Sequence, residues 1–185
     1  MANWHRRDFL KIGMAVLVGS VLPVKAVAAN LRTHSGEREL AFHNLNTKES
    51  LRICYFKNSD FLPAALSKIN YILRDHRTNS IKTIDTNLID LLYTIDQQIE
   101  GDTVFQVLSG YRTPKTNQLL FNRTRGVAKN SLHIKGQAID IRLPGCDISC
   151  LRDLCIQMQA GGVGYYPRRH FVHIDTGPVR SWQWI

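Results

Sequence analysis

The run Ser131-Leu132-His133-Ile134-Lys135-Gly136-Gln137-Ala138-Ile139-Asp140 sets an imidazole and a carboxylate seven residues apart, and a second imidazole, His173, follows thirty-three residues after Asp140. Two histidines and one acid are the usual protein ligands of a catalytic zinc that keeps a fourth position open for water. Zinc-bound water has its pKa lowered from 15.7 to about 7, and the ion also polarises a carbonyl under attack. The chemistry implied is hydrolysis by a metal-activated water. Alone, each of these histidines is more often an ordinary core or surface residue; spacing and strand parity make them a candidate set. Within residues 137–143, Ile139 and Ile141 share one face, and Ala138, Asp140 and Arg142 the other. Within 171–176, Val172 and Ile174 fall on one face, and His173 and Asp175 on the other. With the isoleucines and valine turned to a core, two adjacent strands present Asp140 and His173 to one point. His133 arrives from the preceding loop, and Gly136 permits the turn between them.

The elements that must carry these side chains are legible from hydrophobic period and punctuation. Residues 39–46 and 50–56 are β-rich runs joined by the polar Thr47-Lys48-Glu49, which predicts a hairpin. Asp60 caps a predicted helix through Arg74, with Leu62, Leu66, Ile69 and Leu73 at helical spacing. Asp85 opens a second helix through Glu100, ended by Gly101. A buried strand over 104–108 delivers the loop Ser109-Gly110-Tyr111-Arg112-Thr113, and Pro114 starts a short helix. Strands are expected at 137–143, 163–166 and 171–176, with a helix over 148–160. The fold class is therefore α+β, a largely antiparallel sheet with flanking helices and the metal site on the sheet face.

Residues 1–28 read as an export signal: Arg6-Arg7-Asp8-Phe9-Leu10-Lys11 precedes an apolar run from Ile12 to Val24, and Ala26-Val27-Ala28 supplies small residues for cleavage. The run is too short for a membrane-crossing helix. The paired arginines resemble the twin-arginine signal, so the expected partner is the twin-arginine export machinery, with no stable membrane insertion after processing. Residues 29–185 form one expected domain, working in the periplasm. The signal holds four basic side chains and one acid, so about +6 of the formal +9 remains on that domain. Such a surface favours an anionic polymer. No helix-turn-helix or aromatic-basic stripe accompanies it, which argues for cell wall and against nucleic acid. Four cysteines, Cys54, Cys146, Cys150 and Cys155, suit an oxidising compartment; Cys146 has Cys150 and Cys155 as candidate partners.

The motif Ser-x-His-x-x-Gly-x-Ala-x-Asp, met by Ser131, His133, Gly136, Ala138 and Asp140 and followed by His173, resembles that of the zinc D-Ala-D-Ala peptidases, peptidase family M15, which share a fold with the Hedgehog signalling domain. The resemblance runs from Ser109-Gly110-Tyr111-Arg112-Thr113 through Gly161-Gly162-Val163-Gly164-Tyr165-Tyr166 to Phe171-Val172-His173-Ile174-Asp175-Thr176-Gly177-Pro178. It looks closest to the twin-arginine-exported murein endopeptidase K group, whose members cut peptide cross-links of peptidoglycan. The resemblance implies Zn2+ on His133, Asp140 and His173.

It also implies a site role for Arg112, either stabilising an oxyanion or gripping a substrate carboxylate. Many relatives carry an acidic general base three residues before the last histidine ligand; His170 stands there in this chain. Parity puts His170 opposite His173, so Asp175, on the same face as His173, is the alternative, as base or as a carboxylate orienting the His173 ring. Ser109 and Tyr111 are expected to shape the loop. Asn117, Arg125, Lys129 and Lys135 are candidates for contact with an acidic peptide or for a solvated rim. The implied activity is zinc-dependent endopeptidase cleavage of meso-diaminopimelate 3-3, and also 4-3, cross-links. Two alternatives remain open: a D-Ala carboxypeptidase on uncross-linked stems, and a non-catalytic wall-binding module held by zinc.

Overall fold

A computed structural model describes residues 36–185; the predicted export signal at 1–28 lies outside the described residues. The chain begins with the expected hairpin, β1 (Arg38–Asn44) against β2 (Ser50–Lys57). Asp60 does not cap the first helix. It belongs with Phe61 to a two-residue strand, β3, that folds back on β2, and α1 (Pro63–Ile72) starts at Pro63, whose missing N–H costs nothing in a first turn. Asp85 does cap α2 (Thr86–Gln98), accepting from the Asn87 amide. That helix stops before Gly101, because Ile99 is already extended.

The strand β4 (Phe105–Ser109) leads into α3 (Pro114–Arg123), capped by the Thr113 side chain. Next come β5 (Ala138–Arg142), α4 (Ile148–Gln157) capped by Asp147, β6 (Gly162–Tyr166), β7 (Phe171–Asp175) and a last strand, β8 (Arg180–Gln183). The last strand was not expected from the sequence. All eight strands form one sheet in the order β3-β2-β1-β4-β5-β7-β6-β8. Five of the seven pairings are antiparallel; β1 with β4 and β6 with β8 are parallel.

The sheet's two faces do different jobs. Ile139, Ile141, Val163, Val172 and Ile174 join Leu73 of α1, Leu88 and Leu92 of α2, and Leu151 and Cys155 of α4 in one buried cluster. Alternation along each strand sends the neighbours of these residues to the opposite face. There the register builds two rows across the strands. Ser109, Asp140, His173, Gly164 and Trp182 follow one another across β4, β5, β7, β6 and β8. Ala138, Asp175, Gly162 and Arg180 form the adjacent row. α3 lends no residue to the apolar core and buries only Thr116 and Asn117.

The four cysteines are free thiols. Cys54 lies on β2, whereas Cys146, just before α4, donates its thiol to the Asp147 carbonyl, and Cys150 lies in the first turn of that helix. Burial pushes the Cys155 thiol up to about 12. Among the described residues, no helix is long and apolar enough to cross a membrane.

Candidate metal centre

Asp140 and His173 are directly opposed on neighbouring antiparallel strands, the closest approach that two strand side chains can have. His133 comes in from a 3-10 turn over Leu132–Lys135, capped at Ser131 and closed by Gly136 at φ 73°, a left-handed position suited to glycine. A side chain at Gly136 would also strike the Thr83 carbonyl oxygen, at 2.5 Å. The turn is tied to the loop after β4, because the Arg112 amide donates to the His133 carbonyl. The three ligand-type atoms converge: His133 Nε2 lies 3.1 Å from Asp140 Oδ1 and 3.2 Å from His173 Nδ1, and His173 Nδ1 lies 2.8 Å from Asp140 Oδ1. All three residues are buried.

Tautomers show what this convergence is suited to hold. His133 Nδ1 is 2.6 Å from the Gly110 carbonyl oxygen. A carbonyl only accepts, so Nδ1 carries the proton and Nε2 offers a lone pair. His173 Nε2 is 3.0 Å from Asp175 Oδ2. That carboxylate accepts from Nε2, and a neutral His173 in that tautomer turns its Nδ1 lone pair toward Asp140 and His133, whereas a protonated ring donates from Nδ1 to Asp140 at 2.8 Å. With both rings neutral, two nitrogen lone pairs and a carboxylate oxygen face one point, a ligand set that fits a divalent cation of the zinc type.

The electrostatics differ among the three groups. Burial, reinforced by the Arg112 charge, drives the His133 pKa down to about 4, so its imidazole is neutral at pH 7. Burial alone would raise the Asp140 carboxyl. The close imidazoles of His133 and His173 and the Arg112 guanidinium outweigh it and hold the group well below the usual carboxylate range. For His173, burial favours the neutral ring, but hydrogen bonds to Asp140 and Asp175 overcome it and raise the pKa. A proton and a cation would compete for His173 Nδ1.

Arg112 donates through Nη2 to Asp140 Oδ2 and through Nε to Ser109 Oγ at 2.7 Å. Its guanidinium is therefore fixed at the edge of the group, with Asp140 Oδ1 left for the centre. Asp175 lies behind His173 with no exposed surface. Its Oδ2 faces His173 Nε2 and takes Arg180 Nη2 at 2.6 Å. Its Oδ1 accepts from Arg180 Nη1, the Gly162 amide and the Gly177 amide. Burial would raise the Asp175 carboxyl, but these donors hold it far below the normal range. A carboxylate so committed orients the ring and has no free oxygen directed at the centre. His170 is exposed and left-handed at φ 55°.

The remaining sequence candidates divide. Ser109 lines the cleft. Tyr111 docks its backbone on the Leu73 carbonyl and packs against the core edge. Asn117 is buried and holds the carbonyls of Ala128 and Lys129, a structural task. Arg125, Lys129 and Lys135 are exposed and do not line the cleft.

Sequence reasoning missed Arg180 and Trp182. Both come from β8 and reach β7 across β6, which is possible because Gly162 and Gly164 stand between. An added Cβ at Gly162 would lie 2.5 Å from Arg180 Nη1, and one at Gly164 2.6 Å from the Trp182 ring. The Trp182 ring centre is 5.3 Å from that of His173, and its indole N–H donates to the Tyr166 hydroxyl at 3.1 Å. The available signal was the Gly-x-Gly spacing of 162–164 in a β-rich run, which marks a close approach of another chain segment. The group opens into a cleft of about 290 Å3, bounded by Leu120, Tyr166, Phe171 and Trp182 among others.

A His/Asp/His group on the polar face of a mixed sheet, open to a cleft and backed by carboxylate and carbonyl acceptors, is of the kind that hydrolytic metal sites use. The family model described as Peptidase_M15_2, Peptidoglycan L,D-endopeptidase MepK, matches residues 32–182, and the chain belongs to that family. It is 44% identical over 178 residues to the peptidoglycan L,D-endopeptidase MepK of Escherichia coli strain K12, covering 96% of this chain and 97% of the relative. The same figures hold for the protein of that name from Shigella flexneri. The probable peptidoglycan L,D-endopeptidase MepK of Haemophilus influenzae is 40% identical over 182 residues, 98% of this chain and 97% of its own. No solved structure matches the chain significantly.

Proposed function

We propose that this protein is an exported, zinc-dependent peptidoglycan endopeptidase that hydrolyses meso-diaminopimelate cross-links, the 3-3 type and also the 4-3 type, during cell-wall remodelling. The observation that carries the reading is the convergence of His133 Nε2, Asp140 Oδ1 and His173 Nδ1 in an open cleft of a chain that belongs to this family. The named relatives are L,D-endopeptidases. The twin-arginine-like Arg6-Arg7 segment and the basic balance of the rest of the chain support work on the cell wall in the periplasm.

His133, Asp140 and His173 are the residues that would hold Zn2+, which when bound supplies an acidified water and a Lewis acid for the scissile carbonyl. The chain's own side chains do the rest. Gly110 and Asp175 keep the two imidazoles in the tautomers that offer lone pairs to the centre. Arg112, locked by Ser109 and Asp140, sits where negative charge grows on the carbonyl oxygen and stabilises it without having to reorganise. Asp175 is a positioning residue, itself held by Arg180. Trp182 and Tyr166 form an apolar wall that limits water on one side of the cleft.

The test is mass spectrometry of muropeptides released from purified sacculi by the zinc-loaded protein. Cross-linked dimers become monomers, and His133→Ala abolishes release while its circular dichroism stays unchanged. Shortened monomers without loss of dimers would instead mark a carboxypeptidase. Co-sedimentation with sacculi and no released fragment would mark a binding module, and undiminished release by metal-free His133→Ala would reject the chemistry.

A further inference from the structure

Four guanidinium groups line the cleft: Arg77, Arg112, Arg169 and Arg180. Among the described residues, the only acids lining it are Asp140 and Asp175, which Arg112 and Arg180 already occupy. Arg77 is exposed, and no described carboxylate pairs with its side chain. Its backbone is nonetheless held in place. The Asp75 carboxylate, 1% exposed, accepts from the Arg77 amide at 2.9 Å through Oδ1. Through Oδ2 it accepts from both the amide and the hydroxyl of Thr113, at 2.9 Å each. A turn closes the same loop: the Asp75 amide donates to the Ser80 carbonyl and the Thr78 amide to the Asp75 carbonyl.

A buried carboxylate thus clamps the loop that bears Arg77 to Thr113, the residue next to Arg112. Both guanidiniums lie near His76, whose imidazole is held neutral first by burial and then by the Arg77 charge, with Arg112 adding to it. A solvated surface arginine needs no such anchoring. Arg169, by contrast, sits on an exposed three-residue turn.

We propose that Arg77 binds a substrate carboxylate in a subsite beside Arg112, and that Asp75 is the residue that positions it. The inference rests on the peptidoglycan reading above. In such a cross-link, the diaminopimelate centre next to the scissile amide carries a free carboxylate, whose planar pair of oxygens matches a guanidinium fork. An unpaired cation held over the cleft selects for that acid and against its carboxamide.

The experiment is calorimetric binding of the reaction product, a stem peptide ending in diaminopimelate, to the zinc-loaded protein. The peptide is compared with its carboxamide form, so that no hydrolysis intervenes. The native protein is expected to bind the acid about tenfold or more tightly than the amide, the scale of a hydrogen bond to a charged group. Arg77→Gln binds both forms alike, at the amide's affinity, and Arg77→Lys keeps part of the preference. Arg152→Gln removes the same charge from α4, outside the cleft, and keeps the full preference, which separates a contact from long-range attraction. A preference that survives Arg77→Gln, or its absence in the native protein, overturns the proposal. Cleavage of cross-linked dimers is scored separately. Cleavage without an Arg77-dependent preference sinks this inference alone, and Arg77-dependent binding without cleavage sinks the peptidase reading alone.

Discussion

Replacing Asp175 by asparagine separates a positioning role from a general-base role. The change is isosteric and keeps Oδ1 as an acceptor for the Gly162 and Gly177 amides. At the other corner it puts an N–H2 where Oδ2 now faces His173 Nε2 at 3.0 Å and Arg180 Nη2 at 2.6 Å. The new N–H2 then meets two donors, the His173 Nε2–H and the Arg180 guanidinium. The ring is driven to the Nδ1-protonated tautomer, which points a hydrogen at Asp140 and His133 in place of a lone pair. Loss of a carboxylate behind a metal-binding histidine costs about 10- to 100-fold in metal affinity, or about 1.4–2.7 kcal/mol. The stability of the metal-free fold falls less, because Arg180 is partly exposed and finds water.

The assay is competition for Zn2+ against a chromophoric chelator at pH 7.5, with the tautomer read from the histidine 15N shifts. Activity at saturating zinc should recover a large part of what is lost at limiting zinc. An Asp175→Asn protein that binds zinc within threefold of the native protein, yet is inactive at saturating zinc, would refute the positioning argument and restore Asp175 as a base.

Two further outcomes follow from the same geometry. His170→Gly should leave kcat/KM within about twofold and raise stability by up to about 1 kcal/mol, because glycine accepts φ 55° without the Cβ penalty; thermal melts and muropeptide kinetics check both, and a tenfold loss of rate would place His170 in the chemistry. Burial would raise the Asp75 carboxyl, but its hydrogen bonds from Thr116, Thr113 and the Arg77 amide win and hold it below 3.8. A depressed carboxyl contributes stability that is present above its unfolded pKa and lost as pH falls through its folded one. Urea melts should therefore show the native protein losing its advantage over Asp75→Asn only as pH drops below about 3.9; a gap that stays constant down to pH 2.5 would contradict this.

Much of the site was readable because its residues sit in short, regular segments. Alternation in 137–143 and 171–176 put Ile139, Ile141, Val172 and Ile174 in the core and Asp140 and His173 on the other face, as the structure has them. The spacing from Ser131 to Asp140 carried His133 with it, whereas strand parity did not apply to His170, which precedes β7 at a left-handed turn position. Errors gathered where chain direction changes. Asp60 has a capping side chain, but Pro63 and pairing with β2 set the start of α1.

What lay beyond local pattern was contact between segments distant along the chain. Arg180-Ser181-Trp182-Gln183 has no apolar alternation, and its strand exists because β6 offers an edge for parallel pairing. Only that pairing, with glycine at 162 and 164, brings Arg180 to Asp175 and Trp182 to His173. The sequence by itself determined which residue types meet at the centre, since strand period and turn chemistry are local properties. The tertiary structure alone decided their tautomers, the partner of Asp175 and the exposure of Arg77, because hydrogen-bond acceptors such as the Gly110 carbonyl are supplied by backbone that no nearby residue predicts.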